Sequence, residues 1–102
     1  MILHLATFRW RDGVTGEEID ALTVALRSMA EQLPMLRSYV CGPALGIRPG
    51  ADYAVAAVVD DAEALNAYID SPEHALVYKN NLGDMVAERS AAQLPLTDGA
   101  FS

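Results

Sequence analysis

Residues 2–10 read with a period of two. Ile2, His4, Ala6, Phe8 and Trp10 fall on one side and Leu3, Leu5, Thr7 and Arg9 on the other. That is the period of a β-strand, and Asp12-Gly13 supplies the turn that ends it. From Thr15 the period changes. Ile19, Leu22, Leu26, Met29 and Leu33 recur at helical spacing. Thr15 with Glu18 three residues later forms a capping box, and Pro34 stops the helix. A second strand is expected from Leu36 to Ala44, followed by the Arg48-Pro49-Gly50 loop. The pattern then repeats. Tyr53–Val59 is a β-branched strand, apolar on both sides, and Asp60 or Asp61 caps a helix carrying Leu65, Tyr68 and Ile69 on one side. Ser71-Pro72 breaks that helix and begins a short one running to about Asn80, with Ser71 as N-cap and Pro72 at the first helical position. Asn80-Asn81-Leu82-Gly83 reads as an irregular exit, residues 87–94 as the last strand, and Thr97–Ser102 as a mobile tail.

The element order is β-α-β-β-α-β, which predicts an α+β, ferredoxin-like sandwich with a four-stranded antiparallel sheet and helices on one face. One domain over residues 1–96 is expected from the length of 102 residues. The first and third strands are apolar on both faces, so the face without helices needs a cover. A second copy of the chain, packing sheet face to sheet face, is the economical source.

Composition narrows the partners. Fourteen acidic against seven basic residues give a net charge of −7, which disfavours a nucleic-acid partner because its phosphates would be repelled. No window approaches the roughly 18 apolar residues of a membrane span, and no leader pattern opens the chain, so no membrane partner and a cytoplasmic location are expected. Cys41 is the single cysteine, read as a reduced strand residue; a disulfide framework or multi-cysteine zinc site is excluded.

Candidate chemistry is confined to few residues. No Gly-rich phosphate loop, Gly-x-Ser-x-Gly elbow or histidine pair with zinc spacing is present, and no metal site is expected. His4 lies mid-strand on the helix-facing side. His74 is the third helical residue after Ser71, where the helix dipole should hold it neutral and able to act as a general base. Tyr68 shares an apolar stripe with Leu65, so its ring points inward and His74 is a candidate partner for its hydroxyl.

The opening strand and the Tyr68-Ile69-Asp70-Ser71-Pro72-Glu73-His74 segment resemble the stress-responsive dimeric α/β-barrel (Dabb) domains and their Tyr-x-x-His-Pro-x-His signature, with the likeness running over residues 1–96. Ser71 stands where the signature has its first histidine. The resemblance implies a dimeric α/β barrel and a relation to polyketide cyclases of the olivetolic acid cyclase type, which close a poly-β-keto chain without a cofactor. By that resemblance His74, Tyr68 and His4 would be catalytic. Ala6, Phe8, Leu22, Leu26, Tyr53, Val55, Ala57 and Ile69 would line the pocket, with aliphatic Leu22 and Leu26 where cyclases of that type have an aromatic lining. A small apolar or polyketide-like ligand is implied. Two other readings stand beside the cyclase: a non-catalytic stress-responsive protein or apolar ligand carrier, and a cofactor-free monooxygenase of aromatic polyketide-like substrates.

Overall fold

A computed structural model of the chain describes residues 1–97. The expected tail, beyond Thr97, lies outside the described residues. Seven elements follow one another: β1 (Ile2–Trp10), α1 (Gly16–Glu31), β2 (Ser38–Pro43), β3 (Tyr53–Val59), α2 (Ala62–Ile69), α3 (Pro72–Val77) and β4 (Val86–Pro95), with a π-helical turn over Tyr78–Leu82 after α3. The sheet order is β2-β3-β1-β4 and every neighbouring pair is antiparallel. This is the ferredoxin-like arrangement that the element order predicts.

Local chemistry accounts for the boundaries. Gly13 adopts φ +89°, a conformation that glycine takes without steric cost, in the turn after β1. The Thr15 hydroxyl accepts from the Glu18 amide at 3.2 Å, and the Glu18 carboxylate accepts from the Thr15 amide at 3.1 Å, which closes the capping box of α1. The second strand is shorter than the pattern predicts. Leu36 is still in a turn, its amide donating to Leu33 O at 3.1 Å. Arg37 makes a two-point ion pair with Asp60, its Nε and Nη2 donating at 2.9 and 2.7 Å. That leaves Asp61 as the cap of α2, its carboxylate accepting from Ala64 N at 2.8 Å. The short helix after Ser71 also ends early, at Val77, and the irregular exit is the π turn. Gly83 closes that turn by donating to Tyr78 O at 2.8 Å. A Cβ on Gly83 would stand 3.2 Å from that oxygen and 3.3 Å from the Tyr78 ring, so a side chain there would push on the ring.

The alternation along β1 and β3 sorts side chains to the two faces. Ala6 and Phe8, with Tyr53, Val55 and Ala57, are buried under the helices, where Leu22, Leu26, Met29 and Tyr68 complete the core. The other face carries Leu3 and Leu5, the β3 residues Ala54, Ala56 and Val58, and Val40 from β2, in register across the strands. Helices leave it uncovered, and Leu5 and Val40 are exposed. No helix among the described residues is long and apolar enough to cross a membrane.

Leu22 has no solvent exposure, so Leu22→Ala should lower unfolding free energy by about 2–5 kcal/mol. Urea unfolding followed by circular dichroism should show the midpoint falling with little change in slope. An unchanged midpoint would mean that α1 does not anchor the core.

Candidate functional site

Between the sheet and the α2–α3 corner lies a small cavity of about 30 Å³, the space of a single water molecule. It is built from β1 (His4, Ala6, Phe8), from Leu26, Val55 and Ile69, and from the aromatic and histidine side chains of Tyr39, Tyr68 and His74. Tyr78 and Leu82 of the π turn and Arg89 of β4 complete its wall. A wider, open groove between α1 and α3, lined by Ser28, Gln32 and Glu73 among others, contains neither histidine.

Ser71 sets the spacing of the two signature residues. Its buried hydroxyl donates to Tyr68 O at 2.7 Å and accepts from His74 N at 3.1 Å, so one oxygen ends α2 and starts α3. Both rings are thereby fixed to one corner. The Tyr68 ring is then met edge-on from three sides. The His74 ring centroid lies at 5.3 Å with the planes 87° apart, His4 at 6.3 Å and 78°, and Tyr39 at 6.4 Å and 84°. Such perpendicular contacts suit the aromatic quadrupole. The hydrogen bond expected between the Tyr68 hydroxyl and His74 is not formed. The two rings instead meet at right angles.

The two histidines are differently prepared. The Gln93 amide nitrogen, directly opposite on β4, donates to His4 Nδ1 at 2.9 Å. An amide NH₂ can only donate, so Nδ1 of His4 accepts and its ring proton resides on Nε2. His4 is a hydrogen-bond donor in its neutral form, and its free basic position is already used. His74 makes no ring hydrogen bond among the described residues, so it retains an unused lone pair. Burial and the nearby Arg89 guanidinium hold both histidines below their ordinary pKa, with His4 adding to the effect at His74 and Asp70 opposing it. His74 is thus kept neutral by desolvation and a neighbouring cation more than by the dipole of its six-residue helix.

The tyrosines are prepared in the opposite sense. Burial pushes Tyr39 and Tyr68 above the usual phenol range, so each stays a protonated donor. The Tyr39 hydroxyl is buried without a well-formed hydrogen bond, although the Tyr68 hydroxyl lies close enough to raise its pKa further.

Of the residues expected at the site, His4, Ala6, Phe8, Leu26, Val55, Tyr68, Ile69 and His74 line the cavity. Leu22, Tyr53 and Ala57 do not, being wholly enclosed in the core beneath. The Tyr53 hydroxyl instead bonds Thr23 Oγ1 at 2.7 Å, and burial pushes its phenol up to about 12. Sequence reasoning missed Tyr39, Tyr78, Leu82, Arg89 and Gln93. Period-two alternation could have found three of them: Tyr39 shares a side with Cys41, and Arg89 and Gln93 are the cross-strand partners of Phe8 and His4. Nothing local marks the π-turn pair. Among the described residues no cluster of three or more His, Cys, Asp or Glu side chains could hold a metal ion.

The comparisons with known proteins agree with this architecture. Residues 2–94 match the family described as the stress responsive A/B barrel domain. An uncharacterized protein of Streptomyces coelicolor is 39% identical over 77 residues, which span 72% of this chain and 79% of that one. The crystal structure of a dimeric ferredoxin-like protein of unknown function from Thermobifida fusca superposes with a TM-score of 0.86 at 35% identity, covering 93% of this chain and 90% of that one. The hydroxynitrile lyase of Passiflora edulis shares the fold at a TM-score of 0.80 and 13% identity, over 95% and 94% of the two chains. The alternating strands, the broken helix with its Tyr68–His74 corner and the match over nearly the whole chain together place this protein in the stress responsive A/B barrel (Dabb) family.

Proposed function

We propose that this protein is a cofactor-independent acid–base enzyme that removes a proton from carbon next to a carbonyl, the elementary step of a polyketide cyclase-like reaction. One observation carries the reading. His74, with a free lone pair and a lowered pKa, stands 5.3 Å from the Tyr68 ring in a cavity lined by no carboxylate. A carbon flanked by two carbonyls is already acidic, so a positioned neutral base and a hydrogen-bond donor for the developing enolate are enough. His74 takes the proton. The protonated hydroxyls of Tyr68 and Tyr39 and the Nε2–H of His4 are the donors available to the enolate oxygen. The apolar walls keep bulk water from competing for those donors. A hydroxynitrile lyase on the same fold supports the view that this architecture can carry an enzyme. The small volume of the cavity, about 30 Å³, favours a short substrate.

The proposed assembly is a homodimer through the uncovered sheet face, supported by the dimeric relative from Thermobifida fusca and by the apolar row of Leu5, Ala56 and Val40. The helix-facing cavity stays on the far side of each sheet from that interface.

Deuterium exchange at the central carbon of pentane-2,4-dione, followed by NMR, tests the base. Wild type should accelerate exchange, and His74→Ala should lose about 10²–10⁴-fold of that rate. Binding without exchange in wild type would instead identify an apolar ligand carrier, and a rate unchanged in His74→Ala would remove His74 from the chemistry.

The pH profile should follow the environment of His74. Because its pKa is lowered, the neutral base persists below pH 6.5, and the exchange rate should fall only at more acid pH. Replacing Arg89 by Gln removes a cation that disfavours the imidazolium, so the acid limb should move to higher pH. A limb that stays in place would show that Arg89 does not act on His74.

For the assembly, light scattering of Ala56→Glu should give half the mass of wild type with unchanged circular dichroism, because a carboxylate buried at a sheet–sheet contact has no partner. A wild-type protein that is already monomeric would overturn the proposed pairing.

A further inference from the structure

The cavity is closed to charge everywhere except at one place. Among its lining residues Arg89 alone carries a formal charge. Arg89 is directly opposite Phe8 in the ladder, which puts it on the helix-facing side of β4. Among the described residues it has no carboxylate partner. The ion pairs among the described residues are Arg9 with Glu88 and Arg37 with Asp60. A chain of net charge −7 has acidic side chains in abundance, yet none among the described residues pairs with this guanidinium. Arg89 and Tyr78 are also the exposed members of the lining, whereas His4, Phe8, Tyr68 and Leu82 are buried. The cation therefore marks the mouth. Inside, the Tyr39 hydroxyl is buried beside the Tyr68 hydroxyl without a well-formed hydrogen bond, so a carbonyl oxygen in the cavity would give it a better acceptor. In the π turn beside it, Gly83 is packed so closely on Tyr78 that a side chain would displace the ring.

We propose that the cavity selects a short oxo-carboxylate, with its carboxylate on Arg89 at the mouth and its carbonyl oxygen on the Tyr39 hydroxyl inside. The assignment deepens the reading of this cavity as the substrate site. A guanidinium matches a carboxylate with two parallel hydrogen bonds, and a buried phenol matches a carbonyl. A cavity of about 30 Å³ has room for little more than the carbonyl end, so the charged end stays at the mouth and the chain between them is short. The carbon between the two groups then lies beside His74. Its C–H bond breaks, a ring nitrogen of His74 gains the proton, and the electron pair moves to the carbonyl oxygen as an enolate that accepts from Tyr39. Reprotonation by the same imidazolium returns both partners, so no further reactant is needed.

A matched pair of probes tests this: freshly prepared acetoacetate and its uncharged amide, acetoacetamide, titrated at pH 7.5 while the His4 and His74 ring protons are followed by NMR. Wild type should bind acetoacetate more tightly than the amide, with an advantage that shrinks as sodium chloride is raised. Arg89→Gln should weaken acetoacetate by about ten- to hundredfold and leave the amide almost unchanged. Arg89→Lys should restore part of the loss. Tyr39→Phe should weaken both probes together. Equal affinity of wild type for the two probes, or equal loss of both in Arg89→Gln, would overturn the proposal, as would failure of acetoacetate to bind wild type. His74→Ala separates the two readings. If it abolishes exchange while acetoacetate still prefers the arginine-bearing protein, both stand. If it leaves exchange intact while that preference persists, the base assignment fails and the anion selectivity survives.

Discussion

A strand that is apolar on both faces has to be covered twice, and this chain has helices for one cover. The period-two alternation of β1 and β3 puts His4, Ala6 and Phe8 with Val55 and Ala57 under α1 and α2, and Leu5 with Ala54 and Ala56 on the opposite side. A register slip of one residue would exchange the two sets. The core, the cavity and the proposed dimer face all follow from that assignment. His4 enters the cavity because it has the same parity as Phe8, Arg89 lines it because it lies opposite Phe8, and Gln93, opposite His4, reaches the His4 ring.

Within that frame the site depends on one small hydroxyl. Ser71 satisfies the carbonyl of Tyr68 and the amide of His74 at once, so α2 and α3 meet at a corner with both rings on its inside. In the family signature a histidine occupies this place. The serine here caps α3 and adds no titratable group next to His74. The electrostatic character of the cavity therefore comes from burial and from Arg89, across the sheet, and these two causes act in the same direction on both histidines.

Much of the candidate site is legible in the sequence. Capping boxes, Ser-Pro breaks and alternation are local signals, and they placed Tyr68, His74 and His4 on elements that the fold brings together. The residues that were missed fall into two kinds. Arg89 and Gln93 belong to a strand whose side chains are mostly exposed, so nothing in their own surroundings distinguishes them; their meaning lies in which β1 residues they face. Leu22, Tyr53 and Ala57 are expected at the cavity from the family resemblance, and they share stripes with residues that do line it. A shared stripe determines which side is buried, and not how deep along it the packing closes.

The sequence by itself determined the elements, the ferredoxin-like order and the face of each strand, because period, caps and breakers act over a few residues. Tertiary structure decided the rest. Cross-strand register put Gln93 on His4 and so divided the two histidines into a donor and a free base. Packing turned the expected Tyr68–His74 hydrogen bond into a perpendicular ring contact. Closure of the π turn over Tyr78 and Leu82 left a cavity of about 30 Å³ with one cation at its edge. Each of these depends on distances between residues far apart in the chain, and no local pattern encodes such a distance.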